Sequence, residues 1–206
     1  MNMEKCPGCG AVLSLSRDRR SLVCDFCGNT YPVDGGESPS KDASDAKVIE
    51  LLAQAQKLHD KADYTSEVKI LTGALELDPD NAMTLNKLGR VYRVLGFNEK
   101  ALDCYRRALE IDPNFGIVYG NMGAVYIQMC DYQKAVSCYE AGIDRVNKSD
   151  RSDYGVFLAN YALAVGHCGD KRRAAELLSE AERLGYANGK AIRKQLKLSV
   201  FDKLFG

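Results

Sequence analysis

The residues best suited to chemistry stand near the start of the chain, as Cys6-Pro7-Gly8-Cys9-Gly10 and Cys24-Asp25-Phe26-Cys27-Gly28, with fourteen residues between the two pairs. A Cys-x-x-Cys turn gathers two sulfurs on one side of a tight loop. Two such turns facing each other across a short hairpin supply the four thiolates that tetrahedral Zn²⁺ takes. Glycine follows the second cysteine of each pair, where backbone N–H groups turn toward metal-bound sulfur through a positive φ that glycine adopts without penalty. The spacing predicts one structural zinc ion held by Cys6, Cys9, Cys24 and Cys27, and four thiolates leave no open position for hydrolytic chemistry. Two other chemistries fit the same thiols: a redox sensor that releases zinc on oxidation, and an iron centre for electron transfer. A thioredoxin-type site would need a strand-to-helix junction in a βαβ setting, which this segment lacks.

Placing these thiols requires a hairpin. Ala11-Val12-Leu13-Ser14-Leu15 and Ser21-Leu22-Val23 read as two short strands joined by the charged tip Ser16-Arg17-Asp18-Arg19-Arg20, and Thr30-Tyr31-Pro32-Val33 as a third. A module of roughly 35 residues cannot fold on hydrophobic burial alone, so the metal would supply the folding free energy. Residues 6–33 resemble the zinc ribbon family on the two Cys-x-x-Cys-Gly knuckles. The resemblance implies a small β module with a structural metal and a surface that can add a second binding site. Arg17, Arg19 and Arg20 would meet phosphate if the ribbon served a nucleic-acid-associated accessory factor. Residues 1–45 carry five positive and seven negative charges, which argues against that partner.

The whole chain, 206 residues with 46% hydrophobic and 27% charged, has room for a folded core and one small extra module. Lysine plus arginine and aspartate plus glutamate balance at 28 each, which excludes a strongly basic field for nucleic acid or membrane surfaces. No apolar run of signal-peptide length precedes Cys6, so a reducing cytoplasm is expected, where cysteine pairs hold metal more often than disulfides. Pro113 to Cys130 is uncharged and 18 residues long, but it contains proline, asparagines and glycines and belongs to a repeat. No transmembrane segment is expected.

Residues 34–45 are rich in Gly, Ser and Asp and read as a flexible linker. Beyond them, sliding residues 82–115 over 116–149 brings Leu88, Gly89, Tyr92, Ala101, Tyr105 and Ala108 onto Met122, Gly123, Tyr126, Ala135, Tyr139 and Gly142. Asp112-Pro113 has its match in Asp78-Pro79, again 34 residues earlier. The turns Ala62-Asp63, Gly96-Phe97, Cys130-Asp131 and Gly169-Asp170 stand in equivalent positions. This period and pattern resemble the tetratricopeptide repeat (TPR), a pair of antiparallel helices per unit. The fold class that follows is mainly α: a TPR α-solenoid of about four helix pairs plus a C-terminal capping helix, preceded by a small β zinc ribbon. The expected organisation is ribbon 1–33, linker 34–45, repeats 46–186 (units 48–81, 82–115, 116–149 and 155–186) and a capping helix over 187–206. A polar loop, 147–153, stands between the third and fourth units. The apolar stripe of the last helix, Ala191, Ile192, Leu196, Val200 and Leu204, reads as a cap or as a partner-binding helix.

The resemblance implies a superhelix whose inner wall, lined by the first helix of each unit, receives an extended peptide. Residues counted onto that wall include Asn86, Lys87, Arg90 and Arg93 in the second unit, Asn121 and Gln128 in the third, and Asn160 in the fourth. Side-chain amides can hydrogen-bond a peptide backbone whatever its sequence, and the cations suit an acidic segment or a C-terminal tail. No Gly-rich phosphate loop, His-Glu-x-x-His or Gly-x-Ser-x-Gly occurs, and His59 and His167 stand far apart. The expected function is therefore a non-enzymatic protein–protein interaction adaptor.

Overall fold

The structure, a computed structural model, describes residues 13–15, 21–24, 30–32 and 41–198. The chain divides into two compact units, Met1–Lys47 and Val48–Gly206.

In the first unit three short strands, β1 (Leu13–Leu15), β2 (Ser21–Cys24) and β3 (Thr30–Pro32), form an antiparallel sheet in that order. Leu13 stands opposite Cys24 and Leu15 opposite Leu22, while Leu22 also faces Tyr31 across the second pairing. Cys6, Cys9 and Cys27 lie outside the described residues.

The second unit is built from helix pairs: α1 (Lys41–Asp60), whose start falls in the first unit, with α2 (Tyr64–Leu77), α3 (Ala82–Val94) with α4 (Asn98–Ile111), α5 (Gly116–Gln128) with α6 (Tyr132–Gly142), and α7 (Arg151–His167) with α8 (Lys171–Arg183). A short α9 (Gly189–Leu196) follows. No helix among the described residues is long and apolar enough to cross a membrane.

Each pair turns through the same device. Ala62, Gly96, Cys130 and Gly169 all have positive φ, at 55°, 80°, 60° and 102°, and the next residue caps the following helix. The backbone N–H groups of Asp63, Phe97 and Asp131 bond back to the carbonyls of Leu58, Tyr92 and Tyr126, closing the end of the preceding helix. Asp63, Asp131 and Asp170 accept from the N–H three residues on, whereas Phe97 offers no side-chain acceptor. Asp78-Pro79 and Asp112-Pro113 stop α2 and α4, since a proline and its predecessor do not continue a helix.

Within the second and third units the two helices meet through a glycine and a tyrosine. A Cβ on Gly89 would come within 2.5 Å of the Tyr105 ring, and one on Gly123 within 2.6 Å of the Tyr139 ring. Both rings are fully buried. The core lies in three clusters: Ala55, Leu71 and Val91 between the first and second pairs; Leu85, Tyr105 and Val118 between the second and third; and Tyr139, Phe157, Leu158 and Leu178 onward to α9.

Three boundaries differ from the sequence reading. α1 begins at Lys41, inside the stretch read as linker, because Lys-Asp-Ala-Ser-Asp-Ala offers no glycine or proline to stop a helix beyond Pro39. α7 begins at Arg151, inside the expected polar loop, because the Asp150 carboxylate accepts from the N–H groups of Ser152 and Asp153, both at 3.1 Å. α9 ends at Leu196, where Lys197 takes the left-handed conformation. Ile192 and Leu196 are buried but Ala191 is exposed, while Val200 and Leu204 of the expected stripe lie outside the described residues.

Two substitutions test this account. Gly123→Ala should lower stability by roughly 1–3 kcal/mol, because the ring it meets sits in a filled core. Phe97→Asp gives α4 the acceptor that α2, α6 and α8 have but removes the ring contacts with Tyr92 and Lys100, so it should be about 1 kcal/mol more stable than Phe97→Ala, which loses the same contacts without gaining a cap. Urea denaturation measures both, and a neutral Gly123→Ala would contradict the close approach.

Candidate functional site

The first helices of the second, third and fourth pairs lie side by side, and a cleft of about 490 Å³ opens across them. Arg90 and Arg93 reach it from α3, Asn121 and Gln128 from α5, and Asn160 from α7. Ile117, Ala124, Ile127 and Val156 supply the apolar part of its wall. Five of the seven residues counted onto the inner wall are thus brought together.

The other two are placed differently. Asn86 is buried, at 4% exposure, and its side-chain oxygen accepts from the Asn121 amide at 2.8 Å. It does not line the cleft. Lys87 points instead toward the first pair, donating to the Gln56 side-chain carbonyl at 3.4 Å. The angular count along α3 put both on the inner face. α5 then covers Asn86, and the length of the lysine stem carries its ammonium toward α1.

Tyr139, Val146, Asp153 and Phe157 also line the cleft and were not anticipated. Tyr139 belongs to a second helix, and Asp153 became part of the wall because α7 starts a turn early. The signal available for Tyr139 in the sequence was its 34-residue match with Tyr105, which marks a packing residue and not a cleft residue.

Charge in the cleft is not cancelled locally. Among the described residues neither Arg90 nor Arg93 takes part in an ion pair, whereas Arg173 is bound by Glu140 at 3.2 Å and Arg193 by Glu182 at 2.9 Å. Two cations held open on one wall favour a negatively charged occupant.

Elsewhere Cys130 and Cys168 are exposed free thiols, while both histidines and the other two helix cysteines are engaged in packing. His59 Nδ1 lies 3.0 Å from the buried Glu67 carboxylate. His167 stacks on Tyr132 with centroids 4.1 Å apart, and its Nε2 is 3.2 Å from the Gln195 amide, away from the cleft. Burial pushes the Cys104 and Cys138 thiols up to about 11, which keeps both protonated and unreactive at neutral pH. Among the described residues no group of three or more His, Cys, Asp or Glu gathers to hold a metal.

Comparison with known families decides the architecture. Residues 89–129 match the family described as TPR repeat, and residues 117–145 the family described as Tetratricopeptide repeat. Tetratricopeptide repeats are present. The same helix-pair fold occurs in PilF of Pseudomonas aeruginosa, which is 17% identical with a TM-score of 0.66 over 79% of this chain and 74% of that one. A MamA fragment from Desulfovibrio magneticus RS-1 is 15% identical with a TM-score of 0.60, covering 77% of this chain and 90% of that one. An O-GlcNAc transferase mutant from Thermobaculum terrenum is 20% identical with a TM-score of 0.60 over 68% of this chain, and the match spans 26% of the transferase chain. These likenesses concern the TPR fold alone. No curated protein sequence matches the chain.

The amide pair can be tested directly. Asn86→Leu should cost roughly 1 kcal/mol of stability, because the Asn121 amide N–H loses its acceptor at a partly buried position. Thermal unfolding measures it, and a variant as stable as the parent would show that the pair is immaterial.

Proposed function

We propose that this chain is a non-enzymatic interaction adaptor whose TPR cleft receives an extended peptide or partner segment. The observation that carries this reading is the convergence of Arg90, Arg93, Asn121, Gln128 and Asn160, from three successive units, on one cleft with an apolar wall. Amides at that spacing can bond the backbone of an extended chain, and the apolar wall gives its side chains somewhere to bury. The unpaired arginines favour an acidic segment or a C-terminal tail over a basic one. Lys87, directed toward α1, would act at most through the long-range field.

The metal module belongs to the same proposal. Four cysteine thiolates, Cys6, Cys9, Cys24 and Cys27, would hold one structural zinc and leave no position for a substrate. What supports it is the register of the sheet: Leu13 pairs with Cys24, so the chain entering β1 and the chain leaving β2 stand at the same end of the hairpin. Those are the segments that carry the two Cys-x-x-Cys pairs. Bound zinc supplies folding free energy to a module too small to fold on burial alone. A cytoplasmic setting, in which the thiols stay reduced, completes the reading.

Two measurements test these statements. In selection from a random peptide display library, the full chain should enrich acidic peptides, and Arg90→Glu or Asn160→Ala should weaken the best of them by about tenfold. No enrichment over a scrambled-surface control would sink the adaptor reading. Elemental mass spectrometry on protein purified without added metal should find about one zinc per chain, lost in a Cys6→Ser/Cys9→Ser variant whose helical circular-dichroism signal survives. Iron, or no metal, would overturn the structural-zinc proposal.

A further inference from the structure

Two of the residues that line the cleft carry polar atoms without a partner. Arg93 Nε and Tyr139 Oη are buried and have no hydrogen-bond partner among the described residues. Folded proteins satisfy the great majority of buried polar groups, so two unsatisfied ones on one wall call for a reason. Packing explains the Tyr139 ring, which sits on Gly123, but not its hydroxyl.

Resting on the cleft reading above, we propose that Arg93 and Tyr139 form an anion-reading subsite that takes the side-chain carboxylate of an Asp or Glu in the bound segment. Both supply donors. Burial pushes the Tyr139 phenol well above the ordinary tyrosine range, against the opposing pull of the nearby Arg93 guanidinium, so at neutral pH it remains an O–H donor. The unpartnered atom of Arg93 matters, because the side-on fork by which arginine grips a carboxylate uses Nε together with one terminal nitrogen. Arg90 stands one turn away on the same helix and adds a second positive charge. The acid that lines the cleft, Asp153 at the start of α7, is paired with neither arginine.

The subsite is built once. Thirty-four residues on, Arg90 and Arg93 are replaced by Ala124 and Ile127, so the third unit repeats the tyrosine but not the cations. A bound segment therefore has a single place for its acid, between the second and third units. Its neighbouring residues would lie toward Ile117, Ile127 and Val156, which suits an acid flanked by apolar side chains. The asymmetry would set the register in which an extended chain lies.

The test uses the full chain labelled with ¹⁵N, reading the arginine side-chain Nε–H resonances. The Arg93 signal is assigned by its loss in Arg93→Lys. The probes are short acetylated and amidated peptide pools, with flanking positions drawn from Leu, Val, Ala and Ser and the central residue fixed as Glu, Gln or phosphoserine. The Glu pool should bind about tenfold more tightly than the Gln pool and shift the Arg93 Nε–H. Tyr139→Phe should reduce that preference without lowering the melting temperature, since it removes a hydroxyl that has no partner in the free protein. A merely structural tyrosine would show the reverse pattern. Equal binding of the Glu and Gln pools with the Arg93 signal unmoved would overturn the subsite and leave the cleft reading standing. If no pool moves any cleft resonance, both fall. A phosphoserine pool that binds more tightly than the Glu pool would overturn the carboxylate assignment.

Discussion

The two central units, on which the cleft is built, depend on one close approach, a tyrosine ring seated on a glycine of the neighbouring helix. At Gly89 and Gly123 there is no room for a Cβ, so Tyr105 and Tyr139 lie flat in the seam between the two helices of their pairs. The rings are large enough to reach the next unit as well. Tyr139 meets Phe157 edge-on at 5.1 Å and stacks with Tyr161 at 5.5 Å, tying the third pair to the fourth. One side chain thus closes a unit and joins it to its successor. Its apolar body does the packing, and the same residue lines the cleft, with its hydroxyl buried and unpartnered among the described residues.

Much of this was legible in the 34-residue recurrence, because the residues that recur are those whose size or backbone freedom the packing demands. The left-handed turn at 62, 96, 130 and 169 could be placed from sequence alone, even though two of its four occupants, Ala62 and Cys130, are not glycine. Burial by a neighbouring unit was harder to read. Asn86 and Asn121 look alike along their helices, yet one is covered and the other faces the cleft, since α5 lies over the first. A count of angles around one helix contains no information about what the next helix brings. Capping competed with composition at 147–153, a stretch polar enough for a loop but with Asp150 placed to start a helix.

Balanced net charge also concealed a local imbalance. Arg173 and Arg193 hold helices together through Glu140, Tyr161, Glu182 and Ser179, and their charge is consumed by the fold. Arg90 and Arg93 have no such carboxylate. The distinction between a structural and a displayed arginine lies in the partners that the solenoid brings within reach. Composition sums over both kinds.

The division of the core into three clusters in series has a mechanical consequence. Each seam between units is a compliant joint, and the array behaves as a short coil spring whose pitch is the sum of small rotations at successive joints. The cleft crosses two of these joints, from α3 over α5 to α7. Whatever lies along it acts as a splint, stiffening the curvature of the middle of the array while leaving the first joint free to flex.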